Sequence, residues 1–529
     1  MSNEFKITST HNIEEPNVVK YLGVISTNIV SRTRIFSDIV ASFTGFFAGI
    51  TISYQKTLQN ISKLLVFFFI AAIFFISPIQ MDAQSNSNQI IVGNWLGKLE
   101  IPNAAVIRMG IIVDKDGSSA LNIIDQATGN IPMDEVLIIG DTVTFKINDL
   151  GITIKGHLRP DKDSIPCIYM QRGGRFALNL RKVDQLPQLK RPQTPKAPFG
   201  YISEEIELQN KMANVKLAGT LTLPKTSSKV PVVVLLTGSG KQGRNQDIAG
   251  HKPFWVIADY LTRHGIAVLR LDDRGFGGSS GDFNNSTTGD FASDALAAVE
   301  YLKNRKDIDV NQIGLIGHSE GGATALITAS QSNDVKFIIS LSGVILNFGE
   351  IVISQLTDRL ESQNVPNEII ELEMEWRRKL YSIVKESTDS ILASEKMWKA
   401  YRELSEEDIK RMNWPEGRMN HIVSQLLSPW WRYSISLDVL DLYMEIDCPA
   451  LLLFGEKDVQ VSAIDNMPLI EEAVKFNNKN NIEIQLIEGV NHLYQTADTG
   501  SEYEYVQIEE TISPNVLNLI SNWILKDKN

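Results

Sequence analysis

The chain has 529 residues and a formal net charge of −12 at pH 7. A chain of this length predicts two or three domains with an ample core, and its acidic balance argues against a nucleic-acid partner. The two cysteines, Cys167 and Cys448, fall in different predicted domains, so we expect no disulfide. Since no Cys/His cluster has metal-ligand spacing, we also expect no metal site.

An uncharged apolar run at residues 64–76 follows Lys63. The run is short for a membrane span but typical of the hydrophobic region of a signal peptide, with cleavage near Ala83 or Gln84. We interpret residues 64–84 as a signal peptide or a signal anchor, and residues 1–63 as an extension that cleavage would remove. A misassigned start of the chain would also explain that extension. The expected location is the periplasm or cell envelope; the alternative is attachment to the inner membrane through an uncleaved anchor at residues 64–80.

Short alternating strands fill residues 88–183 and predict a small antiparallel β domain, a curved sheet or partial barrel. Turns at residues 115–117 and 148–151 mark two hairpins. Trp95 fits a core anchor better than a ligand-stacking residue. Four prolines at residues 184–200 then predict a stiff, extended linker.

Residues 201–529 alternate apolar strands with helices, which predicts a mostly parallel sheet. The first of these strands is expected to be antiparallel to the rest. The predicted strands are Leu217–Leu223, Val232–Leu236, Ile266–Asp272, Ile313–Ile316, Phe337–Ser342, Ala450–Phe454 and Ile482–Ile487.

A helical insertion at about residues 345–440 interrupts this alternation, and its amphipathic, charged pattern predicts a cap over the active site. The aromatic side chains of the insertion would line an acyl pocket or form the core of the cap itself. These side chains are Trp398, Trp414, Trp430, Trp431 and Tyr433.

The segment Gly317-His318-Ser319-Glu320-Gly321 lies between a predicted buried strand and a predicted helix. A serine on such a tight strand-to-helix turn is a candidate nucleophile, because the glycines leave room around the hydroxyl and the helix N-terminus favours developing negative charge. A second glycine-serine match at residues 277–281 lies in a loop, and we interpret it as a flexible glycine-rich segment.

A serine nucleophile needs a histidine base and a carboxylate that orients the histidine. His492 follows the last predicted strand, whereas His421 lies in a polar helical stretch, where a surface or helix-packing role is expected. Asp458 follows the strand Ala450–Phe454 and is the predicted acid, with Glu456 as the alternative.

The backbone N–H groups of Glu320 and Ser239 are the predicted oxyanion donors, with Gly240 as an alternative to Ser239. Ser239 lies in the glycine-containing turn that follows the strand Val232–Leu236. After the next strand, Asp273 and Arg274 are expected to form a structural network that supports the nucleophile loop; direct contact with the substrate is the alternative.

These motifs resemble the α/β-hydrolase superfamily, and more narrowly the bacterial EstD-type esterases grouped near serine aminopeptidase-like hydrolases. The resemblance covers about residues 202–525 and implies a carboxylic-ester hydrolase of short acyl chains that uses no cofactor. Thr237 departs from the pattern, since many relatives have histidine there. Residues 21–56 resemble a fragment of the YbjQ-like proteins, but residues 1–63 contain no cysteine and only His11, so we predict no metal site there.

The sequence thus predicts a serine hydrolase with a Ser319-His492-Asp458 triad that cleaves small-molecule esters of short to medium acyl chains through an acyl-enzyme. A serine peptidase with the same triad is the first alternative. An envelope ligand-binding protein with an inactive hydrolase core is the second. The oligomeric state stays open.

Overall fold

The computed structural model describes residues 89–101, 105–171 and 173–526. It divides the chain into two compact units, with the boundary between Lys190 and Arg191. The predicted extension 1–63 and the apolar segment 64–84 lie outside the described residues. Within the described ranges, no helix combines the length and the apolar character needed to cross a bilayer.

The described part of the first unit forms a nine-stranded antiparallel sheet in the order β4-β3-β2-β1-β9-β8-β7-β6-β5. This confirms the antiparallel β region expected from the alternating pattern. The strands are β1 (Gly93–Ile101), β2 (Ala105–Val113), β3 (Ser119–Ile123), β4 (Thr128–Pro132), β5 (Glu135–Ile139), β6 (Thr142–Ile147), β7 (Ile152–His157), β8 (Ser164–Gln171) and β9 (Gly174–Val183).

The two edge strands of this sheet, β4 and β5, follow one another along the chain. The Met133 N–H donates to Ser119 O in β3, and the Asp134 N–H donates to Lys146 O in β6. Neighbouring residues between β4 and β5 are therefore bonded to β3 and β6, the strands next to the two edges, so the sheet curls round and brings the end of β4 to the start of β5. Trp95 is fully buried inside it, as expected of a core anchor, and its Nε1 donates to Ile91 O at 2.7 Å.

The second unit contains an eight-stranded sheet in the order β10-β11-β13-β12-β14-β15-β16-β17. β11 is antiparallel to both neighbours, as predicted, and the other pairs run parallel. The strands are β10 (Ile202–Asn210), β11 (Val215–Leu223), β12 (Val230–Leu236), β13 (Ala267–Leu271), β14 (Ile308–His318), β15 (Phe337–Leu341), β16 (Ala450–Gly455) and β17 (Ile482–Ile487).

Helices cover both faces of the second sheet. Alternate residues of β12 enter different cores: Val232 and Val234 pack in one apolar cluster, and Val233 and Leu235 pack in another. Burial on both faces explains why these strands read as continuous apolar runs. The helices outside the insertion are α1 (Pro253–Arg263), α2 (Thr288–Lys303), α3 (Glu320–Gln331), α11 (Ala463–Phe476), α12 (Glu502–Tyr505) and α13 (Pro514–Leu525).

The insertion between β15 and β16 is helical, in agreement with the prediction. It has its own apolar core, in which Trp376, Leu380 and Trp414 are buried. Its helices are α4 (Phe348–Ser362), α5 (Asn367–Glu386), α6 (Ser390–Arg402), α7 (Glu406–Arg411), α8 (Glu416–Leu426), α9 (Pro429–Ser436) and α10 (Val439–Glu445).

The C-terminal part of the predicted linker is fastened to the second unit. The Arg191 guanidinium donates to the carbonyls of Ala249, Val506 and Ile508, at 2.8 to 3.2 Å. The side-chain amide of Gln193 bonds the backbone of Thr511 and Ile512. These residues are therefore part of the folded unit, whereas proline content alone predicts a stiff spacer.

Candidate active site

Ser319 occupies a strained turn between β14 and α3. Its backbone has φ 56° and ψ −121°, a region that residues with a side chain rarely adopt. The Ser319 N–H donates to Leu341 O in β15 at 2.9 Å, and Ser319 O accepts from the Gly322 N–H at 2.9 Å. The turn is thus fixed to the neighbouring strand on one side and to the helix on the other.

Two glycines are required for this turn. A Cβ at Gly317 would overlap the carbonyl oxygen of Gly321, and a Cβ at Gly321 would overlap the carbonyl oxygen of Leu236 at the end of β12. The obstacles are backbone atoms, which cannot move aside as a flexible side chain could. The glycines of the motif therefore allow the strand, the turn and the helix to approach one another closely.

His492 and Asp458 form a buried pair. His492 Nδ1 lies 2.8 Å from Asp458 Oδ2, and the two residues are each 4% exposed. Asp458 Oδ1 also accepts the backbone N–H groups of Gln460 and Val461, at 2.8 and 2.9 Å. Burial alone would raise the pKa of Asp458, but the facing His492 and these hydrogen bonds lower the pKa overall. Asp458 is therefore held as a carboxylate against the ring of His492.

The alternatives to these two residues lie elsewhere. The Glu456 carboxylate accepts the Gly489 N–H at 2.8 Å and braces the turn after β17. His421 is exposed on α8. The structure thus pairs His492 with Asp458 and leaves both alternatives outside that pair.

His318, which the sequence analysis assigned no role, connects the serine turn with the His492 loop. Its Nε2 lies 2.9 Å from His492 O, and its Nδ1 lies 2.7 Å from Gln246 Nε2. Burial lowers the pKa of His318 to about 3, so the ring is neutral at physiological pH. Because the His492 carbonyl only accepts, Nε2 carries the proton and Nδ1 accepts from Gln246.

The loop after β12 packs directly against the serine. A Cβ at Gly238 would lie 3.2 Å from Ser319 Cβ. Asp273 holds this loop: its carboxylate accepts the Thr237 hydroxyl and the Gln242 N–H, each at 2.7 Å. Burial raises the pKa of Asp273 to about 7.

The predicted network of Asp273 and Arg274 is divided between two places. Asp273 supports the loop after β12, not the nucleophile loop. Arg274 is buried and donates to Asp294 at 2.7 and 2.9 Å and to Asp290 at 3.2 Å, so it fixes α2. Asp273 and Arg274 are adjacent in the sequence, but successive residues after a strand point in different directions, so their side chains contact different elements.

The second glycine-serine match is a structural brace. Ser279 Oγ donates to Asp272 O at 2.8 Å and accepts the Ala218 N–H at 2.9 Å. The Ser279 hydroxyl therefore bonds its loop to β11. The segment has a defined structural role, whereas the sequence predicts a flexible loop.

The cap aromatics differ in burial and in the elements they contact. Trp414 is fully buried in the cap core, where the guanidinium of Arg418 lies 4.5 Å from its ring centroid, and Trp431 is 8% exposed. Trp430 is half-buried and reaches the serine turn, since its Nε1 donates to Glu320 Oε1 at 2.7 Å. Tyr433 lies against Gly289 at the start of α2.

The strand order and the strained serine turn define a serine-type hydrolase of the α/β-hydrolase fold. The described residues contain no group of three or more histidine, cysteine, aspartate or glutamate side chains arranged to hold a metal ion.

Comparison with known proteins agrees with this class. A family model described as X-Pro dipeptidyl-peptidase (S15 family) matches residues 213–465. Esterase EstD of Thermotoga maritima is 27% identical over 331 residues, which cover 62% of this chain and 69% of that protein. Esterase FrsA of Vibrio cholerae is 32% identical over 148 residues, which cover 28% of this chain and 32% of that protein. The chain is therefore a hydrolase similar to enzymes named as esterases.

Two further matches concern a solved structure and the N-terminal segment. A solved structure of the Pyrococcus furiosus esterase Pf2001 aligns with 64% of this chain and 98% of its own, at 16% identity and a TM-score of 0.38. The YbjQ_1 model, described as "Putative heavy-metal-binding", matches residues 5–64, in agreement with the resemblance noted for residues 21–56. That segment lies outside the described residues.

We expect Gly317→Ala to destabilise the protein by about 3 kcal/mol or more, because the new methyl group would overlap the Gly321 carbonyl. The shift of the urea unfolding midpoint measures this. Gly417→Ala is the matched control, since nothing lies within 4 Å of a Cβ there. In helix α8 it should be neutral or stabilising by up to about 1 kcal/mol. Equal midpoints for the two variants would contradict the close approach at the serine turn.

Proposed function

We propose that this protein cleaves carboxylic esters of short to medium acyl chains through an acyl-enzyme formed on Ser319. The buried His492–Asp458 pair carries the proposal. These residues follow β17 and β16, and Ser319 follows β14, so all three stand at the carboxyl edge of the parallel strands. The hydrogen bond from His318 to His492 O supports a position of His492 beside the serine turn.

The tautomer of His492 supports the role of a base. With Asp458 held as a carboxylate, Nδ1–H donates to Asp458 Oδ2, and Nε2 is left as the acceptor. In the proposed reaction Nε2 takes the proton of Ser319 Oγ as the oxygen attacks the ester carbonyl. The tetrahedral oxyanion is held by the N–H groups of Ser239 and Glu320. The alcohol leaves with the proton from His492. Water then attacks the acyl-enzyme as His492 takes a proton from it, and Ser319 Oγ regains that proton as the acid is released.

Two carboxylates of the cap are already paired with arginines, which makes them less suited to bind the ammonium of a peptide with a free amino terminus. An aminopeptidase binds the substrate ammonium through carboxylates, and Glu373 is the buried acidic residue of the cap core. Its Oε1 is already bonded by Arg377 and Arg418, at 2.9 and 2.6 Å. Glu350 on α4 pairs with Arg378 at 3.0 Å. These carboxylates are therefore neutralised by the arginines of the cap.

The half-buried indole of Trp430 supports an apolar binding surface for the acyl chain beside the serine turn. It is bonded to the residue that follows Ser319 and packs edge-on against Phe348, with ring centroids 4.8 Å apart. Apolar rings at this place would contact the acyl chain of an ester.

We expect p-nitrophenyl acetate, butyrate and octanoate to be hydrolysed faster than aminoacyl- and dipeptidyl-p-nitroanilides. Purified full-length protein and its Ser319→Ala variant are compared by initial rates. Ester turnover should fall by at least about 10³-fold in the variant. Amide turnover above ester turnover would move the function to the peptidase alternative, and turnover unchanged in Ser319→Ala would disprove the proposed nucleophile. Absence of any turnover would favour a ligand-binding protein.

We expect Asp458→Asn to lower kcat for ester hydrolysis by about 10⁴-fold, because an amide cannot hold His492 in the tautomer that accepts the serine proton. Glu456→Gln is the matched control at the alternative acid, and it should keep kcat within about threefold. Steady-state kinetics of both variants give the answer. A larger loss in Glu456→Gln than in Asp458→Asn would exchange the two assignments.

We also propose that residues 64–84 direct export to the periplasm or cell envelope. A fusion of residues 1–100 to alkaline phosphatase, which is active only after export, should show activity in a bacterial host. Replacing Phe67 and Phe68 by arginine in the apolar run should abolish that activity. Phosphatase activity that is equal in both fusions would refute the proposal. Release of the fusion by osmotic shock would distinguish a cleaved signal from an anchor.

A further inference from the structure

The side chain of Glu320 is a feature that the proposed reaction does not use. Glu320 is the first residue of α3 and is 8% exposed. Its Oε1 accepts the Thr288 hydroxyl and the Trp430 indole N–H, each at 2.7 Å. The Ser239 hydroxyl lies near enough to this carboxyl to offset part of the rise in its pKa. Only the backbone N–H of Glu320 was assigned a role from the sequence.

The three partners come from separate parts of the second unit. Thr288 begins α2, Trp430 lies on cap helix α9, and Ser239 lies in the loop after β12. One carboxyl at the serine turn therefore bonds a core helix and the cap, and it lies beside the loop after β12, which itself packs against Ser319.

Burial of this carboxyl carries a cost in free energy. Its three partners are neutral donors, and burial raises the pKa of Glu320. A second buried carboxyl, that of Asp273, lies close enough for the charge of Glu320 to raise its pKa further. A buried carboxyl without a cationic partner is less favourable than a well-packed apolar side chain. Retaining it here is consistent with the need to fix several donors at once.

We propose that Glu320 is a positioning residue of the oxyanion site, whose carboxyl aligns the loop of Ser239 with the serine turn and anchors Trp430 of the cap beside them. This inference rests on the proposed function for the identity of the two N–H donors. Oxyanion stabilisation depends on donors that are already in place when charge develops, because any reorganisation then adds to the barrier. Loss of the carboxyl would release Ser239, Thr288 and Trp430 together.

The test compares Glu320→Ala with Glu320→Gln in the full-length protein. Glutamine keeps an acceptor oxygen for Thr288 and Trp430, and its amide can donate to the Ser239 hydroxyl. We expect Glu320→Ala to lower kcat by about 10²-fold with KM changed by less than about threefold, the loss typical of one impaired oxyanion donor. Glu320→Gln should retain at least about a third of the wild-type kcat.

A second measurement reports the same geometry without ester turnover. A p-nitrophenyl alkylphosphonate modifies a reactive serine and releases nitrophenolate, and its phosphoryl oxygen occupies the oxyanion site. The rate constant of this reaction should fall about 10²-fold in Glu320→Ala, whereas the final nitrophenolate released per molecule gives the folded, reactive fraction. A merely structural role would reduce that fraction and leave the rate constant unchanged.

Glu373→Gln is the matched control, since it also alters a buried carboxyl, one that is bonded within the cap core. It should lower the unfolding midpoint and leave the phosphonylation rate constant unchanged. Wild-type rate constants in Glu320→Ala, or equal losses in Glu320→Ala and Glu320→Gln, would overturn the inference while the esterase proposal stands. If the wild-type protein reacts with the phosphonate but turns over no ester, slower phosphonylation of Glu320→Ala would support the inference while the esterase proposal falls.

Discussion

The strained backbone of Ser319 is the constraint on which the second unit depends. A non-glycine residue at φ 56° costs about 1–3 kcal/mol and persists only where its surroundings fix it. Here the fixing contacts are between backbones: Gly317 against Gly321, and Gly321 against Leu236 O. At Gly317 and Gly321, β12, β14 and α3 must therefore approach one another without an intervening side chain. The same geometry lifts the serine hydroxyl out of the sheet edge and presents a helix N-terminus behind it.

Because parallel strands share one carboxyl edge, residues far apart in the chain meet there without long connections. The His318 ring and the His492 carbonyl are separated by 174 positions and lie 2.9 Å apart. Because His318 is neutral, its single ring proton lies on Nε2 and donates to the His492 carbonyl, which fixes this contact. The loop of His492 is thus oriented twice, through its side chain by Asp458 and through its backbone by His318.

The fold was largely predictable because apolar runs, glycine spacing and chain order are local signals. β10 escaped prediction because it is an edge strand, with Glu204, Glu205 and Glu207 interrupting its apolar residues. The roles of the Glu320 side chain and of His318 could not be read from the sequence, since both depend on partners more than 30 positions away. The cap tryptophans were ambiguous for the same reason: only packing separates the core position of Trp414 from the half-buried position of Trp430.

Titration of the buried groups around Ser319 acts on stability in opposite directions. The pKa of Asp273 is raised to about 7, so the folded state holds a proton that the unfolded carboxyl releases, and this contribution grows as the pH falls from about 7 toward 4. The pKa of His318 is lowered to about 3, so the unfolded ring takes up a proton first, and stability is lost as the pH falls below about 6.5. The two contributions offset one another over the same range. A site that buries both a neutral imidazole and a carboxyl therefore loses less stability on mild acidification than the imidazole alone would lose.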